Sequence, residues 1–141
     1  MPDILHRVGI DAQPAPVFEA LTTLSGIRGW WITDTRGDAA EGTAFEFRGH
    51  RLEVLHADPE LVRWRYAGTM TEWLGTEITF RLVWRDGQTF VVFKHEGWRE
   101  PTELMHHCST KWATFLLSLK ALVETGEGRP QPRDVQIEVG G

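Results

Sequence analysis

The longest hydrophobic pattern in the chain has a helical period and lies towards its end. Leu104, Met105, Cys108, Trp112, Phe115, Leu116, Leu119, Leu122 and Val123 recur at steps of three and four. Lys111, Thr114, Ser118 and Glu124 fall elsewhere, so the spacing predicts an amphipathic helix from about Thr102 to Glu124. Between Thr43 and Glu96 the period is two instead. Five strands are predicted there, over Thr43–Arg48, Arg51–His56, Leu61–Tyr66, Thr76–Trp84 and Gln88–Glu96. Turn signals separate them at Gly49-His50, Asp58-Pro59, Leu74-Gly75 and Asp86-Gly87. Upstream, Ile4 to Ile10 alternates as a first strand. Asp11 is then placed to cap a helix with Pro14 or Pro16 in its first turn and Val17, Phe18, Ala20, Leu21 and Leu24 facing inward. Ser25 to Asp34 reads as a second short helix or loop, ending in Trp30-Trp31.

Strand, one or two helices, five sequential strands and a long helix make an α+β order, not a βαβ parallel sheet. Residues 1–126 are expected to form one domain. Gly128, Pro130 and Pro132 then break regular structure, leaving a mostly irregular tail over 127–141 with a short Val135–Val139 run. A helix with so broad an apolar stripe has to lie on something, and the only sizeable partner is the concave face of a curved sheet. The two together form a container.

The Asp86-Gly87 pair predicts a two-residue hairpin turn, which sets the register of the strands on either side. Trp84 then pairs with Thr89, Leu82 with Val91, Phe80 with Phe93 and Ile78 with His95, all on one apolar face. The other face carries Val83 with Phe90, Arg81 with Val92, Thr79 with Lys94 and Glu77 with Glu96. A slip of one residue would turn the whole apolar set into water. His95 therefore points inward, as either a hydrogen-bonded core histidine or a polar anchor in an apolar pocket. Burial favours its neutral form. In Leu61–Tyr66 the same alternation puts Val62, Trp64 and Tyr66 inside and Arg63 and Arg65 outside.

Composition changes this picture in one respect. Seven tryptophans stand against one tyrosine in 141 residues, and each can bury ~150–250 Å². They could fill a small interior or leave one or two to line a cavity. The net charge of −5 and the scattered basic residues give no basic face for nucleic acid. No apolar run approaches the ~20 residues of a membrane-spanning helix, and the first residues lack the apolar core of a signal peptide. With Cys108 as the single cysteine, no internal disulfide forms, and a cytoplasmic location is expected.

The chemistry-bearing residues exclude more than they assign. His106, His107 and Cys108 are consecutive on a helix, about 100° apart, and cannot chelate one ion, so no metal is expected. His50 and His56 belong to different local settings. Glu46 and Glu53 alternate with apolar neighbours and face outward, which leaves His95 without a carboxylate partner. A Cys108–His95 pair would need a thiolate-favouring setting that an apolar helix stripe does not supply. Gly26 and Gly29 are too sparse for a phosphate loop. No catalytic residue and no cofactor is assigned.

In order and spacing, several segments resemble a known family. These are Ile10-Asp11-Ala12 through Pro16–Thr22, Trp30-Trp31, Gly42–Phe45, Trp73-Leu74-Gly75-Thr76, Thr89–Trp98, and Cys108 with Trp112 and Leu116–Lys120. Over residues 4–125 the chain resembles the SRPBCC or START-like helix-grip superfamily. Within it, the match is to the group similar to the C-terminal domain of the activator of heat-shock-protein-90 ATPase. The resemblance implies a helix-grip fold, with a curved antiparallel sheet of about six strands around the C-terminal helix and a cavity between them. It also implies binding of a small hydrophobic molecule, aromatic, acyl or lipid-like. The expected lining is Trp31, Trp64, Phe80, Phe93, His95, Met105, Cys108 and Trp112, with Trp98 at the mouth. Two alternatives come with the resemblance. One is a module that modulates a chaperone ATPase, although the chain leaves no room for the N-terminal domain that full activators carry. The other is a cyclase- or dehydratase-type enzyme. A binding protein, monomeric or homodimeric, is the favoured expectation.

Overall fold

A computed structural model describes residues 2–139 of the chain. Strand β1 (Ile4–Ile10) is followed by helices α1 (Pro14–Thr22) and α2 (Leu24–Trp30). Six strands come next: β2 (Arg36–Gly37), β3 (Ala44–Phe47), β4 (His50–Asp58), β5 (Leu61–Tyr66), β6 (Glu77–Arg85) and β7 (Gln88–Glu96). A single 3₁₀ turn, Thr71–Trp73, precedes β6, and helix α3 (Glu103–Thr125) closes the domain. The strands form one antiparallel sheet in the order β1-β7-β6-β5-β4-β3-β2. The two-residue β2 is too short to leave a period-two signature, so the sheet has seven strands where the pattern gave about six.

The β6–β7 hairpin has the register expected from its turn: Trp84 faces Thr89, Leu82 Val91, Phe80 Phe93 and Ile78 His95. Asp86 and Gly87 both have positive φ, 55° and 74°, as a type I′ turn requires. Trp84 is the exception on the inner face. It lies beside this turn at the corner of the sheet and is 48% exposed.

Two local expectations are corrected. Asp11 does not cap α1; the N-cap is Gln13, with no side-chain bond. Pro14 fixes the first helical φ and holds the residue before it extended, so the helix starts after Gln13. The Asp11 N–H instead donates to Glu124 at the end of α3, at 2.8 Å. The second correction is the β3–β4 turn, which falls on Arg48-Gly49, at φ 47° and 86°, with Phe47 paired to His50. His50 thereby leaves the turn and joins the inner face.

Helix α3 buries Cys108, Trp112, Phe115, Leu116 and Leu119, as its stripe predicts. It also buries Ser118, which the pattern placed elsewhere. The Ser118 hydroxyl donates to the Trp30 carbonyl at 2.8 Å and accepts the Arg129 N–H at 2.7 Å, so a buried polar atom is fully partnered. Thr23 caps α2 by accepting the Gly26 N–H at 3.0 Å. At Gly26 a Cβ would meet the Ala20 carbonyl at 2.5 Å. The close α1–α2 approach therefore needs glycine there, and it lets the Trp30 indole donate to Ala20 at 2.9 Å.

Candidate ligand cavity

Most of the container is filled with rings. Trp31 stacks between Trp30 and Trp64, each at 5.7 Å between centroids. Phe80 meets Trp64 edge-on at 4.8 Å, Phe93 follows Phe80 at 5.3 Å, and Trp112 lies against Phe93 at 4.7 Å. At ~25 cal/mol per Å², each buried indole contributes about 4–6 kcal/mol gross. The filling has a polar cost as well: the indole N–H groups of Trp64 and Trp98 are buried without an acceptor, each at about 1–3 kcal/mol.

His95 sits inside this packing, fully buried. Its Nδ1 accepts the Trp112 indole N–H at 3.1 Å, and its Nε2 lies 2.8 Å from the Thr76 hydroxyl. Thr76 passes its own proton to the Trp73 carbonyl at 2.7 Å. Nε2 therefore carries the histidine proton, and both ring nitrogens of His95 and the Thr76 hydroxyl are partnered. Burial holds the imidazole pKa down at about 3, so the ring is neutral at physiological pH.

A cavity of about 340 Å³ remains beyond this packed layer, at the lower end of the roughly 300–1,000 Å³ of small-molecule sites. It opens between the end of α2, the β3–β4 turn, the segment around Thr71–Trp73, the first half of α3 and the returning C-terminal segment. Trp31, Phe47, Met70, Trp73, Trp112 and Phe115 form much of its wall, with Ile32, Leu104 and Cys108. Arg48, His50, His107, Lys111 and Gln131 supply the polar lining.

Of the residues expected from sequence, Trp31, Cys108 and Trp112 line this cavity. Trp64, Phe80, Phe93 and His95 lie in the core and are not part of its wall. Trp98, 1% exposed, packs on His95 at 5.0 Å and borders a smaller depression with Thr71, Glu72, Arg99 and Glu100. Met105 packs partly buried against the core, while its neighbour Leu104 takes the place in the wall.

His50 is the polar residue that alternation alone did not reveal. Its Nδ1 is 2.7 Å from the Tyr66 hydroxyl, which already accepts the Met70 N–H at 3.0 Å. Burial raises the Tyr66 pKa, so the phenol keeps its proton, and Nδ1 of His50 is the acceptor available to it. Nε2 of His50 is then the protonated nitrogen, an N–H donor on a residue that lines the cavity. Burial also lowers the His50 pKa, favouring this neutral state. In contrast, burial pushes the Cys108 thiol up to about 11. It is a neutral wall group, not a nucleophile.

The C-terminal segment closes one side of the cavity. The Gln131 N–H donates to the Trp31 carbonyl at 2.7 Å, and the Thr33 N–H donates to the Gln131 carbonyl at 3.1 Å. Lys111 of α3 holds the buried Asp134 carboxylate and donates to the Val135 carbonyl at 2.8 Å. His107 faces Glu138 at 3.0 Å. These ties lay the irregular segment along α3. Among the described residues, no group of three or more His, Cys, Asp or Glu side chains could hold a metal ion. None of the helices there is long and apolar enough to cross a membrane.

A seven-stranded antiparallel sheet gripping a long C-terminal helix is the helix-grip fold of the SRPBCC superfamily. Within it the chain belongs to the family described as Activator of Hsp90 ATPase homolog 1-like protein, whose model matches residues 11–124. It is 45% identical to Aha1 from Colwellia psychrerythraea, solved in solution as a dimer, at a TM-score of 0.84 over 91% of this chain and 100% of that one. SSP2350 from Staphylococcus saprophyticus is 18% identical at a TM-score of 0.76, covering 92% of this chain and 97% of that one. CalU16 from Micromonospora echinospora is 21% identical at a TM-score of 0.73, covering 88% and 77%. The last two share the fold. A comparison with curated proteins finds no match.

Proposed function

We propose that the protein is a receptor for a small molecule with an apolar body, aromatic or acyl, seated between α3, the β3–β4 turn and the C-terminal segment. The observation that carries this reading is the 340 Å³ cavity, whose wall joins Trp31, Trp73 and Trp112 to a neutral His50 donor. A largely apolar wall with a few convergent polar groups is how small-molecule sites are built. Turnover is not part of the reading. The thiol in the wall is neutral, and no carboxylate among the described residues lines the cavity, so His50 has no acid–base partner there. A cytoplasmic site of action accompanies it, since the single cysteine asks for no oxidising compartment.

Titration with a panel of naphthalene and acyl-chain probes, followed by quenching of tryptophan fluorescence, tests the reading. Saturable quenching is expected, and Leu104→Trp, which fills the cavity from its rim, abolishes it. If no probe saturates, the receptor reading is lost.

The family's description supports a second reading, stimulation of an Hsp90-type ATPase. Measuring ATP hydrolysis by such a chaperone with and without the protein decides it, an unchanged rate removing the option. The dimer formed by the Colwellia relative supports a homodimer here. A solution mass near the 16.1 kDa of one chain would count against that.

A further inference from the structure

The cavity wall has a charge bias that its apolar character hides. Its ionisable lining comprises Arg48, His50, His107 and Lys111 at neutral-to-basic positions, with no Asp or Glu among the described residues. The chain as a whole is acidic, at −5, so this bias does not follow from composition. The four groups are not equally available. Lys111 is occupied by the buried Asp134 and the Val135 carbonyl, and His107 faces Glu138. Arg48 has a looser tie: its Nε meets Asp34 at 3.1 Å with both side chains about half exposed, at 54% and 52%, and Nη1 reaches Gln131 only at 3.5 Å. Exposed pairs of that kind hold weakly against a competing carboxylate. His50, the first residue of β4, carries an Nε2–H for which no acceptor is found among the described residues.

Arg48 also occupies a conformation that arginine rarely adopts, at φ 47°. Asparagine or glycine would serve this turn with less strain. A strained residue whose side chain lies at a cavity mouth is a sign of use, because the surrounding fold has to hold it there.

Resting on the receptor reading above, we propose that the ligand is a singly charged organic anion, an aromatic or acyl carboxylate. Its carboxylate is held between the Arg48 guanidinium and the His50 Nε2–H, and its body lies against Trp31, Trp73 and Trp112. One cation and one neutral donor match a monoanion, and the donors come from the β3–β4 turn and the first residue of β4 beside it. The carboxylate therefore points to that end of the cavity and the apolar body towards α3. Charge-assisted hydrogen bonds in an apolar setting are the strong ones, so the charge on the ligand sets the selectivity.

The test uses two probes with one ring system, 1-naphthoate and 1-naphthalenemethanol, titrated calorimetrically into the protein. Naphthoate is expected to bind at least roughly tenfold tighter than the alcohol, with an advantage that shrinks as salt rises. Arg48→Asn, which tolerates the left-handed backbone, is expected to weaken naphthoate by roughly tenfold more than it weakens the alcohol. Equal or tighter binding of the alcohol to the wild-type protein overturns the anion inference and leaves the receptor reading standing. Failure of both probes, together with the wider panel, removes the receptor reading and this inference with it. The wild-type comparison decides the matter even if the Arg48 variant does not fold.

Discussion

The indole N–H of Trp112 donates to Nδ1 of His95 at 3.1 Å, a bond that ties the middle of α3 to strand β7 inside the ring-filled core. It fixes the histidine tautomer, and through Thr76 it reaches the carbonyl of Trp73, which also stands in the cavity wall. The back of the site is thereby held by a polar chain with no slack.

The burial of His95 makes stability depend on pH. The folded-state pKa of His95 is about 3, against 6.5 for an unperturbed imidazole. Between these values the unfolded chain binds the extra proton. The stabilisation is complete above pH 6.5 and is lost as pH falls towards 3, with a slope of up to about 1.4 kcal/mol per pH unit. Urea midpoints measured from pH 7 to 4.5 are expected to fall steeply for the wild type and more gently for His95→Gln. Parallel curves would mean that His95 does not carry the dependence.

Removing the donor gives a second test. Trp112→Phe leaves His95 Nδ1 buried without a partner and trims the ring that covers Phe93, so a loss of about 2–4 kcal/mol is expected. His95→Phe breaks the same bond from the other side. Because the two side chains share one hydrogen bond, their double variant is expected to lose less than the sum of the singles. Additive losses in chemical denaturation would deny the coupling.

The polar chain also separates what the sequence could tell from what it could not. Asp86-Gly87 is a turn signal that names its own geometry, so the β6–β7 pairing and the inward direction of His95 could be read residue by residue. Arg48-Gly49 makes the same kind of turn with an arginine in the first left-handed position, where sequence preference points elsewhere. Reading that turn one residue late puts His50 at its tip and hides the donor of the cavity. The role of His95 was less legible than its direction, because Thr76 and Trp112 lie 19 and 17 residues away along the chain. Ser118 shows a related limit: a hydroxyl within a helical stripe reads as solvent-facing unless its partners, Trp30 and Arg129, are known. The tryptophans could be counted, but whether they fill a container or line it depends on how Trp31 stacks on Trp64, which no periodicity encodes.

The C-terminal segment offers a prediction about local stability. Asp134 is buried against Lys111, whose side chain is 19% exposed. Asp134→Ala strands the ammonium at the cavity side, and breaking a buried pair from one side costs about 3–5 kcal/mol when neither partner can escape. Lys111 can turn towards water, so a loss of about 1–2 kcal/mol is expected instead. The effect should be local: faster amide exchange and easier proteolysis across residues 129–138, with the β6–β7 hairpin unchanged. Uniformly faster exchange over the whole domain would show that the segment is part of the global folding unit.

Arg48 sets stability against function at a single position. Its φ of 47° costs about 1 kcal/mol or more in a residue with a Cβ, and glycine adopts that conformation freely. The ion pair with Asp34 that Arg48→Gly gives up is half exposed and is worth about 0–1 kcal/mol. On balance the variant is expected to be as stable as the wild type or up to about 1 kcal/mol more stable, a gain of a few degrees in Tm at most. The same substitution deletes the guanidinium at the cavity mouth, so naphthoate affinity is expected to fall while Tm holds or rises. A thermal melt and a calorimetric titration on one sample check both halves. If Tm drops by several degrees, the arginine is there for the fold; if Tm holds and the affinity goes, the strain is maintained for the ligand.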